Sequence, residues 1–470
     1  MNSTASTAAK HGERAVLAVT GLAVFAVFLD TTILFVAFSS IRESFPGTGT
    51  SALSWVLNAY TIVFAAFLVP GGVLADRYGR RRVFLVAVAA FTLASALCGL
   101  APSAGVLIAA RTIQAVAAAA MIPASLSLVL QNTPRERIPS AVAIWGAIGA
   151  VAGALGPALG AVVIDAFSWR AAFLINVPVG IVSVLAGRRI LPAHAGDRTG
   201  VFPDRLATPL VIGGVGLVTL ALVEGDDWGW TSARTLTVAA TGVAALAVLL
   251  YRSLHHPTPL IEPMVLRSRT IGAANLAMLI FGAGFAAMFL GGVLFLTEQW
   301  HYSTLQAGFA VTPGPILVAI LAPQFGRLAS RVGQRPLLIA GGLVFAAASI
   351  GNATMPADPA YASRWLPVYL LMGLGVALTL PQLSSAAVQG LPPARFAAGA
   401  GTSQALRNIG ATIGVAAVVV ILAGATPDEV LGAFHETSVL TAIVGVLVTA
   451  IATTLPRRAR TRTAAVPDPA

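Results

Sequence analysis

Apolar stretches of about 20 residues recur along almost the whole chain, each long enough to cross a bilayer as a helix. In hydrocarbon no water bonds the backbone, so a segment of this kind must satisfy its own N–H and C=O groups, which an α-helix does internally. Barrel strands would be about half as long and would alternate apolar with polar residues. These stretches do not alternate. Composition agrees, since 57% of the residues are hydrophobic and 10% are charged, against about 25% charged in a soluble protein. The length of 470 residues would otherwise suit about three soluble domains. The expected fold class is an all-α polytopic membrane protein.

Window hydropathy predicts fourteen spans, near 15–38, 52–74, 83–100, 105–130, 138–163, 170–187, 206–223, 235–251, 271–296, 304–325, 336–353, 365–385, 397–423 and 437–455. The polar stretch 1–14 leads into an apolar run longer than a signal-peptide core and without a small-residue cleavage pattern, so it is expected to be a cytoplasmic tail. The single cysteine, Cys98, excludes an intrachain disulfide and reads as a small packing residue.

The formal charge of +11 does not point to nucleic acid, because the arginines sit in short loops between apolar segments. With the N-terminus inside, one set of loops holds Lys10, Arg14, Arg77, Arg80, Arg81, Arg82, Arg135, Arg137, Arg188, Arg189, Arg198 and Arg205. It also holds Arg252, Arg267, Arg269, Arg327, Arg331, Arg335, Arg395, Arg457, Arg458, Arg460 and Arg462. The other side has Arg42, Arg170, Arg234 and Arg364. That is 23 against 4, and the positive-inside rule places both termini in the cytoplasm.

The chain also echoes itself. Gly72-Val73-Leu74-Ala75-Asp76-Arg77-Tyr78-Gly79-Arg80-Arg81 recurs as Gly326-Arg327-Leu328-Ala329-Ser330-Arg331-Val332-Gly333-Gln334-Arg335, at an offset of 254. Parallel repeats of a six-helix unit put such a loop at equivalent places in two halves. The expected organisation is a half at 15–187, a two-helix insertion at 206–251, a second half at 271–455 and a tail at 456–470.

The first copy of that loop, with Gly71 before it and Arg82 after it, resembles the signature loop of the major facilitator superfamily. Gly153-Ala154-Leu155-Gly156-Pro157-Ala158-Leu159-Gly160 resembles the antiporter motif of its fifth span. Three further stretches are similar to the fourteen-span drug:proton antiporter family. They are Phe28-Leu29-Asp30-Thr31-Thr32-Ile33, then Ser168-Trp169-Arg170-Ala171-Ala172-Phe173-Leu174-Ile175-Asn176-Val177-Pro178-Val179-Gly180, and Arg407-Asn408-Ile409-Gly410. The chain departs from that pattern at Ala115, at Ala161 and in Val36-Ala37-Phe38-Ser39, which lacks the usual proline. The resemblance implies a major facilitator fold, two six-helix halves plus two extra central helices, acting in proton-coupled export. It implies no cofactor, a proton gradient as the energy source, and a multi-pass position in the bacterial cytoplasmic membrane. The partners expected are a small amphipathic substrate, protons and the lipid bilayer, with no nucleic acid, and the chain is expected to act as a monomer.

Asp30 is the one acidic residue placed well inside a span. A carboxylate there is costly by about 2.5–3.5 kcal/mol on insertion scales, so it should face water or a partner. It reads either as the proton-coupling group or as a structural carboxylate bonded to Thr31, Thr32 or a neighbouring helix. Arg111, with Gln114 one turn on, is the matching cation, either tuning Asp30 or forming a purely structural pair. The resemblance links this arginine to proton transfer. Gly72, Asp76, Arg77, Gly79, Arg80 and Arg81 form either a gating loop, with Asp76 capping a helix N-terminus, or a set of topology-setting charges. Gly153, Gly156, Pro157 and Gly160, with Gly149, give a flat face that packs helices closely and can seal a leak.

Trp55, Asn58, Tyr60, Gln114 and Arg407 are candidates for the substrate cavity, against packing or, for Arg407, snorkelling towards the cytoplasm. A nearly uncharged, apolar cavity suits neutral or singly cationic substrates. Glu224, Asp226, Asp227, Glu298, Asp358, Asp428, Glu429 and Glu436 fall in the outer loops, where Glu224 and Glu298 sit at span ends and can relay protons or attract cations. His255 and His256 lack metal-ligand partners, so no metal is expected. No phosphate loop, triad or zinc spacing appears, which leaves export of a drug-like compound, dedicated export of one endogenous product, or uncoupled facilitation.

Overall fold

The computed structural model describes residues 2–134, 137–192, 204–261, 263–387, 389, 396–423 and 429–456. Arg135, Arg198, Arg395, Asp428 and the arginines from Arg457 to Arg462 lie outside the described residues, as does most of the C-terminal tail.

Thirteen helices are long and apolar enough to cross a membrane. They are α1 (Glu13–Ser44), α2 (Thr50–Tyr78), α3 (Arg80–Gly99), α4 (Ala104–Gln131), α5 (Ile144–Ala166), α6 (Trp169–Ile190), α8 (Ala233–His255), α9 (Arg269–Gln299), α10 (Thr304–Ala329), α11 (Gln334–Asn352), α12 (Tyr361–Ala386), α13 (Gly399–Leu422) and α14 (Val430–Thr454). Between α6 and α8 lies the shorter apolar helix α7 (Ala207–Val223), whose 17 residues are at the low end of what spans a bilayer. The expected fourteen segments are thus present as thirteen long helices and one short one.

Prolines decide where helices break. Pro178 has no N–H to bond the carbonyl four residues back, and α6 divides into Trp169–Leu174 and Asn176–Ile190. Pro313 likewise splits α10 into Thr304–Val311 and Pro313–Val332. The start of α10 is set by a capping box, in which Ser303 Oγ accepts from Gln306 N–H at 3.2 Å and Gln306 Oε1 accepts from Ser303 N–H at 2.9 Å. At the far end α1 outruns its predicted span and stays helical to Ser44, which places Arg42 on a rigid element.

The sequence repeat has a geometric meaning. Gly79 and Gly333, 254 positions apart, have φ of 94° and 87°, a region that side chains with a Cβ rarely enter. Each forms the corner between two successive helices. The same offset relates Phe35 to Phe289, and their rings lie 5.1 Å apart, α1 against α9. Residues equivalent in the two halves therefore touch across a pseudo-two-fold axis, as the parallel-repeat plan requires.

The halves meet along three seams, α1–α9, α2–α13 and α5–α10, whereas α4 and α12 share no packed face. Cross-half bonds gather at the end opposite the termini. Ser39 Oγ lies 3.3 Å from Thr297 Oγ1, Ser40 Oγ 3.4 Å from Thr304 Oγ1, and Arg42 pairs with Glu298 at 2.8 Å. One continuous apolar core joins both halves there, while a second core towards the terminal end belongs to the first half alone. The bundle is closed at that far end.

The insertion α7–α8 is a helical hairpin seated on the α2–α13 seam, where Ala207, Val211 and Val215 pack with Ile62, Ala66 and Ile409. Its base is clasped by Asp204, which accepts from Arg252 at 2.5 and 2.8 Å and from Leu206 N–H at 3.0 Å. The hydrogen-bonded Arg252 guanidinium holds the Asp204 carboxyl below the usual carboxylate range.

Replacing Gly79 or Gly333 by Ala should cost about 1–3 kcal/mol, because each forces a Cβ into positive φ. Gly326→Ala, where an added Cβ meets nothing within 4 Å, should stay within about 0.5 kcal/mol. Thermal unfolding of the purified proteins in detergent compares the three, and equal losses would contradict the corner argument.

Candidate functional site

The centre of the first half holds a fully enclosed ion pair. Arg111 Nη1 on α4 donates to Asp30 Oδ2 on α1 at 2.6 Å, with both side chains 1% exposed. The other carboxylate oxygen, Oδ1, accepts from Gln114 Nε2 and Asn176 Nδ2, each at 3.0 Å. Ser95 Oγ accepts from the same two amides at 3.1 and 3.0 Å and donates to Phe173 C=O at 2.9 Å. Arg111 gives a second bond to Gln114 Oε1 at 2.6 Å, and the Tyr60 ring lies 3.9 Å from its guanidinium carbon. Five helices, α1, α2, α3, α4 and α6, thus converge on one charge pair.

The arrangement answers the cost of burying charge. Two ions removed from water regain the loss only if geometry is good and the remaining lone pairs are bonded. Both Asp30 oxygens are, and the arginine adds a cation–π face, worth about 2 kcal/mol when desolvated. Thr31 and Thr32 bond backbone carbonyls of their own helix instead. The alternative in which they hold the carboxylate is therefore not the one adopted. Two enclosed polar atoms beside the pair have no partner, Tyr60 Oη and Asn176 Oδ1.

The sequence picked out Asp30, Arg111, Gln114 and Tyr60 and missed Ser95 and Asn176. Asn176 lies within the Ser168–Gly180 stretch, where its signal is an amide in an apolar segment two residues before the helix-breaking Pro178. Ser95 carried no signal, since serine is unremarkable in a membrane helix. Asn58, 0% exposed, donates to Ser54 Oγ at 3.3 Å and belongs to the packing of α2. Trp55 is half-buried and packs against the apolar cluster that includes the α7–α8 hairpin.

The signature loop turns at Gly79. A Cβ on Gly71 would meet the backbone of Ala119 and Ala120 on α4, whereas one on Gly72 would touch only Pro123 at 3.5 Å. Asp76 does not cap a neighbouring helix as expected. It pairs within its own corner with Arg80 at 2.8 Å, and the N-cap of α3 receives no side-chain bond. Arg81 donates to the Arg188 carbonyl at 2.5 Å, tying α3 to the end of α6. Arg77 lies beside the Tyr78 ring, 6.0 Å from its centroid.

The antiporter-type motif of α5 packs on α1. A Cβ on Gly156 would strike Thr32, one on Gly160 would strike Ile33, and Gly149 faces Phe28. Gly153 is looser, 4.0 Å from Thr32. The opposite edge of α5 presents the Pro157 carbonyl and Ala161 to Gly308 of α10. The methyl at 161 fits because the facing residue is glycine.

Of the outer carboxylates, Glu298 is committed to Arg42, and Glu224 is the C-cap residue of α7. Among the described residues no group of three His, Cys, Asp or Glu could hold a metal. Arg407 lies near the middle of α13, half-buried, with half-buried Gln404 and Asn408 on either side.

A model of the Major Facilitator Superfamily matches residues 20–415. The chain is 33% identical over 414 residues to "Multidrug resistance protein Stp" of Mycobacterium tuberculosis, covering 87% of this chain and 75% of that one. It is 33% identical over 402 residues to "Methylenomycin A resistance protein" of Streptomyces coelicolor, covering 84% and 82%. Against "Cephamycin export protein CmcT" of Amycolatopsis lactamdurans it is 32% identical over 443 residues, covering 93% and 91%. Among solved structures, peptide transporter POT in complex with sulfate superposes with a TM-score of 0.69 over 94% of both chains at 17% identity, a likeness of fold.

Asp30→Asn leaves Arg111 enclosed without a counter-charge and should destabilise by about 3–5 kcal/mol. Pairing it with Arg111→Gln should recover much of that loss. A double-mutant cycle of thermal unfolding in detergent measures the coupling, and strictly additive losses would show that the two charges do not depend on each other.

Proposed function

Because the chain belongs to the major facilitator superfamily, and within it to the drug:proton antiporter family, we propose that it exports amphipathic antibiotics or other toxic compounds from the bacterial cytoplasm in exchange for protons. The observation that carries this reading is the enclosed Asp30–Arg111 pair. Its carboxylate is bonded by a cation and two amides from α4 and α6, so that freeing it requires the pair to rearrange or the carboxylate to take up a proton.

The excess of arginines in one set of loops places both termini in the cytoplasm, and α7 then crosses the membrane as a short fourteenth span. In this scheme the closed far end is the outer face, and the opposite end is the one that admits substrate. In this state Asp30 is paired with Arg111 and substrate is taken from the cytoplasm or the inner leaflet. Rocking of the halves separates Ser39 from Thr297 and Arg42 from Glu298, opens the outer side, and brings Asp30 within reach of external protons. Protonation removes the charge that Arg111 faces, and the arginine turns to the acceptors that remain, Gln114 Oε1 and the Val56 carbonyl. Return to the inward state discharges the proton to the cytoplasm. The corners at Gly79 and Gly333 are cytoplasmic hinges in this scheme, and the Gly308–Ala161 contact belongs to the outer seal.

A second reading is favoured by the relatives named for export of a single compound, namely dedicated export of one endogenous product. It shares the same proton chemistry and differs in the range of compounds moved.

Efflux from proteoliposomes under an imposed pH gradient tests the coupling. Wild type should respond to the gradient, and Asp30→Asn should lose at least about 100-fold of that response, as for loss of a residue essential to proton transfer. Gradient-driven efflux that survives in the variant would move coupling to another residue. Oxidation of a Ser40→Cys/Thr304→Cys double variant should cross-link the outer seal and stop efflux until reductant is added, as thiol geometry there permits. Full activity of the cross-linked protein would exclude opening at that end.

A further inference from the structure

We infer that Arg407 binds an acidic group on the transported compound, so that the preferred substrates are amphipathic anions. This rests on the export reading above and adds the charge of the cargo to it.

Position comes first. Arg407 lies near the middle of the helix Phe396–Ala423, with more than two turns of helix on either side, too deep for its side chain to reach either surface by snorkelling. Its direction follows from its neighbours. The Arg407 carbonyl lies against Gly282 of α9, and Gly410 and Gly414 face Leu279 and Ala283 of the same helix. Thr412 bonds Thr61 on α2 at 2.7 Å. Ile409 packs into the cluster shared with α7. At about 100° per residue, Arg407 is about 200° around the helix from Ile409. Its side chain therefore leaves α13 away from the hairpin and the lipid, towards the interior between α9 and α2. Gln404 and Asn408 lie on the same side of the helix, and all three residues are half-buried.

Charge decides what such a site takes. Among the described residues Arg111 and Arg407 are the cations near the middle of spanning helices, and the carboxylate at that depth, Asp30, is committed to Arg111. Glu298 is committed to Arg42 at the closed end. Arg407 makes no hydrogen bond or ion pair with the described residues. An arginine cannot shed its proton, and an unpaired one at this depth is retained where something supplies the missing negative charge. Guanidinium flanked by two carboxamides presents planar donors suited to carboxylate, sulfonate or phenolate oxygens. A preference for anions differs from the expectation of neutral or singly cationic substrates, and the difference turns on Arg407 alone.

The test uses three naphthalene probes matched in size and bearing a sulfonate, a neutral sulfonamide or a trimethylammonium group. Efflux is measured from proteoliposomes under the same pH gradient. Wild type should move the sulfonate about tenfold faster than the ammonium, the scale of one charge-assisted hydrogen bond. Arg407→Gln should cut the sulfonate-to-sulfonamide ratio by about tenfold, Arg407→Lys should keep most of it, and Arg407→Glu should shift preference to the ammonium. Monodisperse elution and an unchanged unfolding temperature show that each variant is folded, and Arg407→Lys carries the comparison if Arg407→Gln is not. A wild-type preference for the ammonium, or an equal fall for all three probes in Arg407→Gln, overturns the inference and leaves the export reading standing. Failure of wild type to move any probe against the gradient defeats the export reading and this inference with it.

Discussion

The first half of the molecule is organised around a single enclosed ion pair. In a bilayer the hydrophobic effect does not press helices together, because lipid is as apolar as leucine. Helix order must come from close packing and from polar groups that have no other partner. Asp30 and Arg111 supply that demand. Once they are enclosed, Gln114, Asn176 and Ser95 have a fixed task, Tyr60 has a cation to lie on, and the break in α6 before Pro178 places the amide where it is needed. The register of α1, α3, α4 and α6 follows from the directions of these bonds.

The second half shows what the same plan looks like without the charge. At the repeat offset, Asp30 corresponds to Gly284 and Ser95 to Ser349. Gly284 lies against Val444, and Ser349 merely bonds a carbonyl of its own helix. Order there comes from backbone approach. Gly282, Gly410 and Gly414 close α9 on α13, and Gly341, Gly342, Gly375 and Gly445 close α11 on its neighbours. A Cβ at most of these positions would meet main chain, which cannot yield as a flexible side chain can. One half is specified by electrostatics and the other by steric fit.

This division explains what could be read from the sequence. The all-helical membrane class, the long apolar helices and the duplicated corner were legible, because length, apolarity and a repeated glycine are properties of consecutive residues. Asp30 and Arg111 were legible because charge in an apolar run is conspicuous. Ser95 was not, since its role exists only where α3 meets Gln114 and Asn176. Likewise nothing local to Trp55 indicates that its neighbouring cluster includes the hairpin. The task of Asp76 was misjudged because an ion pair four residues away competes with capping, and only the turn at Gly79 decides between them.

The hairpin α7–α8 sits on one flank only. Two halves related by a pseudo-two-fold axis would otherwise present equivalent seams to the lipid, α2–α13 on one side and α5–α10 on the other. Because a third body is keyed into the first, that flank is shielded from acyl chains and any relative movement there must carry or slide past the hairpin. The second flank has no such cover, and there α5 packs directly along both segments of α10, with Gly308 against Ala161 and Pro157. A molecule assembled from a symmetric duplication has thereby acquired a left and a right: one margin overlaid by an extra pair of helices, the other formed by the two halves alone.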